Sequence, residues 1–271
     1  MAAAEVSAGG GDATSAERAA DRAAADDDLT IPVLFADGRL AVVDKPARLM
    51  AHDSGLARGE HDFLADRLRA QFGKPVHLIH RLDRATSGCL LIGFDKDTAR
   101  ALGEQFMTRA VEKTYLAVCR GWPEPREDVI DHPLDGGPGK PEKKPAQTAY
   151  RVLATGAMPW PYGEHAESRF ALLECTPQTG RFRQIRRHLK HRHHHLIGDT
   201  SHGDGARNRM FRMHLGVHRM LLHAWRLAFT HPGDGRRIGV EAPPDAEFRR
   251  ALTAFGWATP APPADPDGGL R

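Results

Sequence analysis

Apolar and polar positions alternate, bunch and lapse along this chain in ways that mark out its elements. Residues 31–35 and 39–43 are short apolar runs flanking Asp37-Gly38, a strong hairpin signal. Lys45-Pro46 then stops the second strand. Over residues 62–72, Phe63, Leu64, Leu68 and Phe72 recur at helical spacing, and Gly73 stands where a glycine cap belongs. A strand is predicted over 90–94, followed by a helix capped by Asp97 or Thr98 that carries Leu102, Phe106 and Ala110 on one face. Residues 113–119 alternate as a strand, with Tyr115 and Ala117 on one side and Thr114, Leu116 and Val118 on the other. A polar excursion rich in proline and glycine covers 123–146. Strands resume at 147–154 and 169–175, a strongly basic helix is predicted over 181–190, and further strands lie near 220–230 and 237–241. Strands and helices mix without regular βαβ alternation, so the expected class is α+β, a mixed and mainly antiparallel central sheet flanked by helices and loops.

The two ends lack apolar periodicity. Residues 1–29 are alanine, glycine and acid, and 258–271 are rich in proline and alanine; both are expected to be disordered tails around one domain over 30–257. The first 29 residues carry −5 and the whole chain +3, so the remainder carries +8, much of it arginine between 181 and 219. A body that basic suits phosphate and nucleic-acid partners. No apolar run is long enough to span a membrane, and no signal peptide is expected. Three cysteines, Cys89, Cys119 and Cys175, sit apart among apolar residues and read as reduced thiols of a cytoplasmic protein.

The candidate chemistry begins at His80-Arg81-Leu82-Asp83-Arg84, followed by Thr86-Ser87-Gly88 and the apolar Leu90-Leu91-Ile92. Asp83 is therefore predicted on a loop held by sheet, with cationic side chains beside it; the plainer alternative is a surface ion pair with Arg81 or Arg84, worth about 0–1 kcal/mol. Two further segments follow in order. Glu112-Lys113-Thr114-Tyr115 leads a strand, and Thr179-Gly180-Arg181-Phe182-Arg183-Gln184-Ile185-Arg186-Arg187-His188-Leu189 precedes Ile197-Gly198-Asp199 and His202-Gly203-Asp204.

In this order and spacing the three segments resemble the RluA-type pseudouridine synthases over residues 31–257. The pattern departs from the family at Arg183, where histidine is usual, and at His195, where proline is expected. The resemblance implies a pseudouridine synthase fold and isomerisation of a uridine in RNA, with Asp83, Tyr115 and Arg186 as catalytic residues. Asp83 would act on the ribose, as nucleophile at C1′ or as base for the 2′-proton, and Arg186 would pair with it. Tyr115 would stack on the extruded base or help remove the C5 proton, and Arg81 would fill the gap left by the flipped nucleotide. His80, Arg84, Lys113, Arg181, Arg183 and Arg187 complete the expected RNA-binding set. The segment around Arg186–His194, with Asn208-Arg209 and Phe255-Gly256-Trp257, points within the family to tRNA as partner and uridine 65 as target. The alternatives are another tRNA or rRNA uridine, or a catalytically silent RNA-binding protein on the same fold. No cofactor is expected, nor an obligate protein partner, and a monomer is. The histidines at 188, 191, 193, 194, 195 and 202 lack interleaved ligands at metal spacing and are read as RNA-facing surface, with no metal site.

Overall fold

The computed structural model describes residues 30–52 and 62–260. Its hairpin joins β1 (Val33–Ala36) to β2 (Leu40–Lys45) through a turn in which Asp37 Oδ1 accepts the N–H groups of Arg39 at 2.7 Å and Leu40 at 3.0 Å. Helix α1 (Leu64–Phe72) ends on Gly73 at φ 64°, the left-handed cap the glycine supplies without a Cβ clash. Strands β3 (His77–Leu78) and β4 (Ser87–Gly93) follow, then α2 (Lys96–Met107). The cap of α2 is Asp95, not Asp97 or Thr98, because only its carboxylate turns back onto the Thr98 N–H, at 2.8 Å. The helix stops before Ala110.

Strand β5 (Glu112–Arg120) is followed by β6 (Glu127–Asp131), β7 (Leu134–Asp135) and β8 (Lys143–Lys144), which occupy the expected loop excursion. β6 lies on the edge of the main sheet, β7 and β8 pair in a two-stranded sheet of their own, and all three are short and polar enough to be hidden in the sequence. Then come β9 (Gln147–Met158), β10 (Ser168–Pro177) and α3 (Gln184–His191). The basic helix therefore starts later than expected, at a left-handed Arg183. Helix α4 (Gly205–Leu215) was not anticipated, since Asn208 and Phe211 are its only buried residues and give no apolar stripe. Strands β11 (Leu222–Thr230) and β12 (Arg237–Glu241) precede α5 (Ala246–Ala254), a further unanticipated helix capped by Asp245. The described residues from Ile31 onward form one compact unit. Apart from residues 258–260, the expected tails lie outside the described residues. No helix among the described residues is long and apolar enough to cross a membrane.

The main sheet runs β1-β2-β4-β11-β5-β10-β9-β6, with β12 on β11 and β3 on β4. Every pairing is antiparallel except β4 with β11. One row of partners crosses it: Lys45, Gly88, Ala224, Tyr115, Cys175 and Tyr150. Gly88 sits at φ 108°, and a Cβ there would collide with the Ala224 carbonyl, so the parallel approach of β4 to β11 demands glycine. Odd and even positions of β5 go to opposite cores. Leu116 and Val118 pack with Phe211, Phe248 and Leu252 from α4 and α5. Ala117 and Cys119 pack with Ile185 and Leu189 from α3. On that second face α1 covers β2 and β4 through Leu64 and Leu68, and Tyr115 touches both clusters at their junction. All three cysteines are buried and free.

A buried polar chain stitches β4 to β11. Arg219 Nη1 donates to Ser87 Oγ at 2.8 Å, Ser87 Oγ meets His223 Nδ1 at 2.7 Å, and His223 Nε2 meets the Ala242 carbonyl at 2.9 Å. Burial, aided by the Arg219 guanidinium, pushes His223 down from 6.5 to about 4. Between those values the unfolded chain binds a proton that the folded chain refuses, so this histidine's contribution to stability is lost as pH falls from about 6.5 towards 4. The thermal midpoint is expected to drop over that range, and the drop to be smaller in His223→Gln. An equal acid dependence in both proteins would show that His223 is not the group responsible.

Candidate active site

The sheet register brings the three sequence motifs to one edge. Strands β4, β11, β5 and β10 lie side by side, so the loop before β4, the start of β5 and the turn after β10 open into one cavity of about 640 Å³. His80, Arg81 and Asp83 line it from the first segment, Lys113 and Tyr115 from the second, and Arg181, Arg183 and Arg186 from the third. Arg84 and Arg187 do not line it. Arg84 Nε donates to the Arg48 carbonyl at 2.9 Å, and Arg187 holds Asp135 Oδ2 at 2.6 Å and the Asp135 carbonyl at 3.0 Å.

At the centre is Arg186, buried with its side chain only 6% exposed. Its Nη1 donates to Asp83 Oδ2 at 2.8 Å, while Nε and Nη2 grip Asp199 Oδ2 and Oδ1 at 2.7 and 2.8 Å. Burial works against the guanidinium's charge, but the hydrogen bonds and charges of Asp199 and Asp83 outweigh it and raise its pKa. Burial likewise opposes the Asp199 carboxylate, yet Arg186 and the N–H groups of His202 and Ser201 hold it below the usual carboxylate range. Asp83 is paired with neither of its sequence neighbours, contrary to the surface-pair alternative: its ionic partner lies 103 positions away. Among the described residues its Oδ1 accepts no hydrogen bond, so one carboxylate oxygen is anchored and one is available.

Support for this constellation comes from residues to which no role was assigned from sequence. Asn208 accepts the Gly198 N–H at 2.7 Å and donates to the Asp199 carbonyl at 2.9 Å, fixing the turn that carries Asp199. Gln184 satisfies all its polar sites at the start of α3. Its Oε1 accepts from Thr179 at 2.7 Å and Arg181 N at 2.9 Å, and its Nε2 donates to the Gln147 carbonyl and Thr148 Oγ1, both at 2.9 Å. Lys45, fully buried, donates to the Pro46 carbonyl at 2.7 Å and the Arg84 carbonyl at 3.3 Å, beside Asp83. Burial and the neighbouring Arg219 push its ammonium down to about 7. Gln184, Asp199 and Asn208 lie in segments that carry the family resemblance, whereas Lys45 stands in the sequence only as the end of a strand.

The pocket wall is electrostatically graded. Burial and the Asp83 charge raise the Tyr115 phenol, so it stays protonated. His80 is not a cationic contact: its Nε2 accepts the Leu91 N–H at 3.0 Å, its ring stacks on Phe106, and burial and Lys113 push it down to about 3. Lys113 is lowered by burial and lies above the Phe106 ring. Arg183 rests on Phe182 and Arg181 Nε donates to the Pro145 carbonyl at 3.1 Å. Of the histidines in and after α3, His188 meets Thr148 and the His132 carbonyl, His194 the Arg120 carbonyl and His195 the His202 carbonyl. Among the described residues no group of three His, Cys, Asp or Glu could hold a metal ion. The whole can present one oriented carboxylate oxygen to an electrophilic carbon or an acidic proton, beside a flat neutral ring.

The family model for RNA pseudouridylate synthase matches residues 39–191. The chain is 40% identical over 236 residues to tRNA pseudouridine synthase C of Pectobacterium carotovorum, covering 84% of this chain and 62% of that protein. It is 39% identical to tRNA pseudouridine synthase C of Vibrio cholerae, with 84% and 96% covered. The solved structure of human RNA pseudouridylate synthase domain containing 4 superposes at a TM-score of 0.66 with 25% identity, over 85% of this chain and 95% of that one.

Removing Asp199 strips Arg186 of two of its three carboxylate bonds inside the protein. Asp199→Ala is expected to lower unfolding free energy by about 3–5 kcal/mol, the usual effect of stranding a buried charge. Asp83→Asn leaves the Asp199 pair intact and is expected to change stability by less than about 1 kcal/mol. Urea unfolding of the two variants checks the asymmetry, and equal losses would refute it.

Proposed function

The chain belongs to the RluA-type RNA pseudouridylate synthases, and from that premise we propose that it converts uridine 65 of tRNA to pseudouridine, with Asp83 as the catalytic residue. The observation that carries this reading is the bond from the buried Arg186 to Asp83, which leaves one carboxylate oxygen open to the pocket. The reaction breaks the N1–C1′ glycosidic bond, turns the uracil over and joins C5 to C1′; no atom is gained and the C5 proton is lost to N1 or solvent. Asp83 serves either as nucleophile at C1′, displaced when C5 attacks, or as base for the 2′-proton, giving a glycal to which it returns that proton at C2′ as C5 joins C1′.

Tyr115 stacks on the extruded base. Its phenol is held protonated, so the stacking role fits its electrostatics better than that of a base for the C5 proton. Arg81, exposed at the pocket, fills the space the flipped nucleotide vacates, which offsets part of the few kcal/mol of lost stacking. Phosphate contacts fall to Lys113, Arg181 and Arg183, because Arg187 and His80 are engaged within the protein. The tRNA assignment draws on the relatives' names and on the match of this chain along its length. We take the enzyme to work in the cytoplasm as a monomer without a cofactor.

Position-by-position pseudouridine mapping on unmodified tRNA and rRNA tests the reading. Wild type is expected to introduce pseudouridine at tRNA position 65, and Asp83→Asn to lose turnover while binding tRNA about as tightly. Modification elsewhere would overturn the target, retained turnover in Asp83→Asn would remove it from catalysis, and no modification at all would leave a silent RNA-binding protein.

A further inference from the structure

Four non-glycine residues among those described hold a positive φ: Arg48 at 72°, Arg109 at 63°, Arg183 at 51° and His193 at 60°. Side chains rarely adopt this region, and residues kept there gather at functional sites. Two of the four, Arg109 and Arg183, line the active-site cavity. They come from the ends of adjacent strands: Arg109 closes the turn into β5, and Arg183 follows β10. Arg183 opens helix α3 in a left-handed conformation, where the caps that open the other helices are extended. Arg109 follows the C-cap of α2, a place where a left-handed residue is common but is usually glycine, so an arginine here carries a strain that glycine would not.

What Arg109 does inside the protein is little. Its side chain makes no hydrogen bond or ion pair among the described residues, and it is exposed. Two positions earlier Met107, also lining the cavity, is 76% exposed, more than any other large apolar side chain described. The turn beneath them is nonetheless firmly held. Thr108 N donates to the Glu104 carbonyl at 2.9 Å and Ala110 N to the Gln105 carbonyl at 2.9 Å. The Gln105 side chain exchanges two bonds with Thr230, at 2.7 and 3.0 Å. A rigid turn thus displays an unpaired cation and an unburied thioether at the mouth of the pocket.

We propose that residues 107–109 form an RNA-gripping wall, in which Arg109 contacts a phosphate beside the target uridine and Met107 packs on a neighbouring ribose or base. The assignment rests on the RNA-modifying reading above. The turn is preset, so little is lost in ordering it when RNA binds. Arg109 and Arg183 then hold the strand from the ends of two neighbouring strands, while the uridine enters between them towards Asp83.

Arg109→Gly separates function from stability, because it removes the guanidinium and relieves the backbone. Its thermal midpoint is expected to equal or exceed that of wild type. Its affinity for an unmodified tRNA transcript is expected to fall roughly tenfold at low salt, with the slope of log K against log salt shallower by about 1. Arg109→Gln, which keeps the same backbone demands without charge, is expected to show the same slope change, and Arg109→Lys to retain the wild-type slope. Met107→Ser is expected to weaken binding with the slope unchanged. Wild-type affinity and slope in both Arg109→Gly and Arg109→Gln would overturn the proposal. Pseudouridine formation by wild type on the same transcript is read separately: its absence, with the slope change intact, would sink the enzymatic reading and leave the RNA wall standing.

Discussion

A guanidinium taken out of water must have its charge met, and Arg186 answers to two carboxylates at once. The two are not equivalent. Asp199 is almost wholly buried and engages Arg186 in the bidentate geometry that makes such pairs strong, whereas Asp83 is partly exposed and takes a single bond. Asp199 therefore satisfies the arginine structurally, and Asp83 is oriented without being consumed. A lone Arg186–Asp83 pair would be a tighter embrace, with both carboxylate oxygens drawn onto the guanidinium and none left for substrate. Sharing the arginine resolves that conflict.

The arrangement is only as good as the elements that hold it, and these are linked in series. Asn208 on α4 fixes the Gly198-Asp199 turn, Asp199 fixes Arg186, and Gln184 with Thr148 fixes the start of the helix that carries Arg186. From the other side Lys45 and the Gly88 contact with Ala224 pin the loop that carries Asp83. Apart from the close packing at Gly88, each anchor is a buried polar group that makes hydrogen bonds, the condition under which such groups order a site instead of weakening it. The row from Lys45 to Tyr150 explains why segments far apart in sequence line one cavity: neighbouring strands deliver them to the same edge.

Much of this was legible in the chain. The Asp37-Gly38 hairpin, the Gly73 cap, β5 with its two faces, and β12 at 237–241 follow from local pattern, because turn chemistry and side-chain alternation are set within a few residues. Asp83, Tyr115 and Arg186 could be singled out because they lie in motifs whose order resembles a known family. What local pattern could not show is partnership. Nothing near Asp199 indicates that it faces Arg186, and nothing near Lys45 indicates that its ammonium is buried under the Asp83 loop; both facts are created by long-range strand pairing. The short strands β6 to β8 and the helix α4 escaped for the opposite reason, since their residues stay largely in water and carry no apolar signature.

Arginine count is where sequence and structure diverge in the most instructive way. The run from Arg181 to Arg187 reads as a helix face built for phosphate, yet its charges have separate destinations. Arg186 is locked between two aspartates, Arg187 is tied to Asp135 at the β7 turn, and Arg181 bonds the Pro145 carbonyl. The guanidinium of Arg183 stays at the pocket on a phenylalanine ring. The basic segment thus supplies architecture through Arg186 and Arg187 and cations through Arg181 and Arg183, while Arg81 and Arg109 reach the same cavity from distant parts of the chain. Net charge sets how strongly RNA is drawn to such a surface, but which arginines meet it is decided by which ones the protein has not already paired.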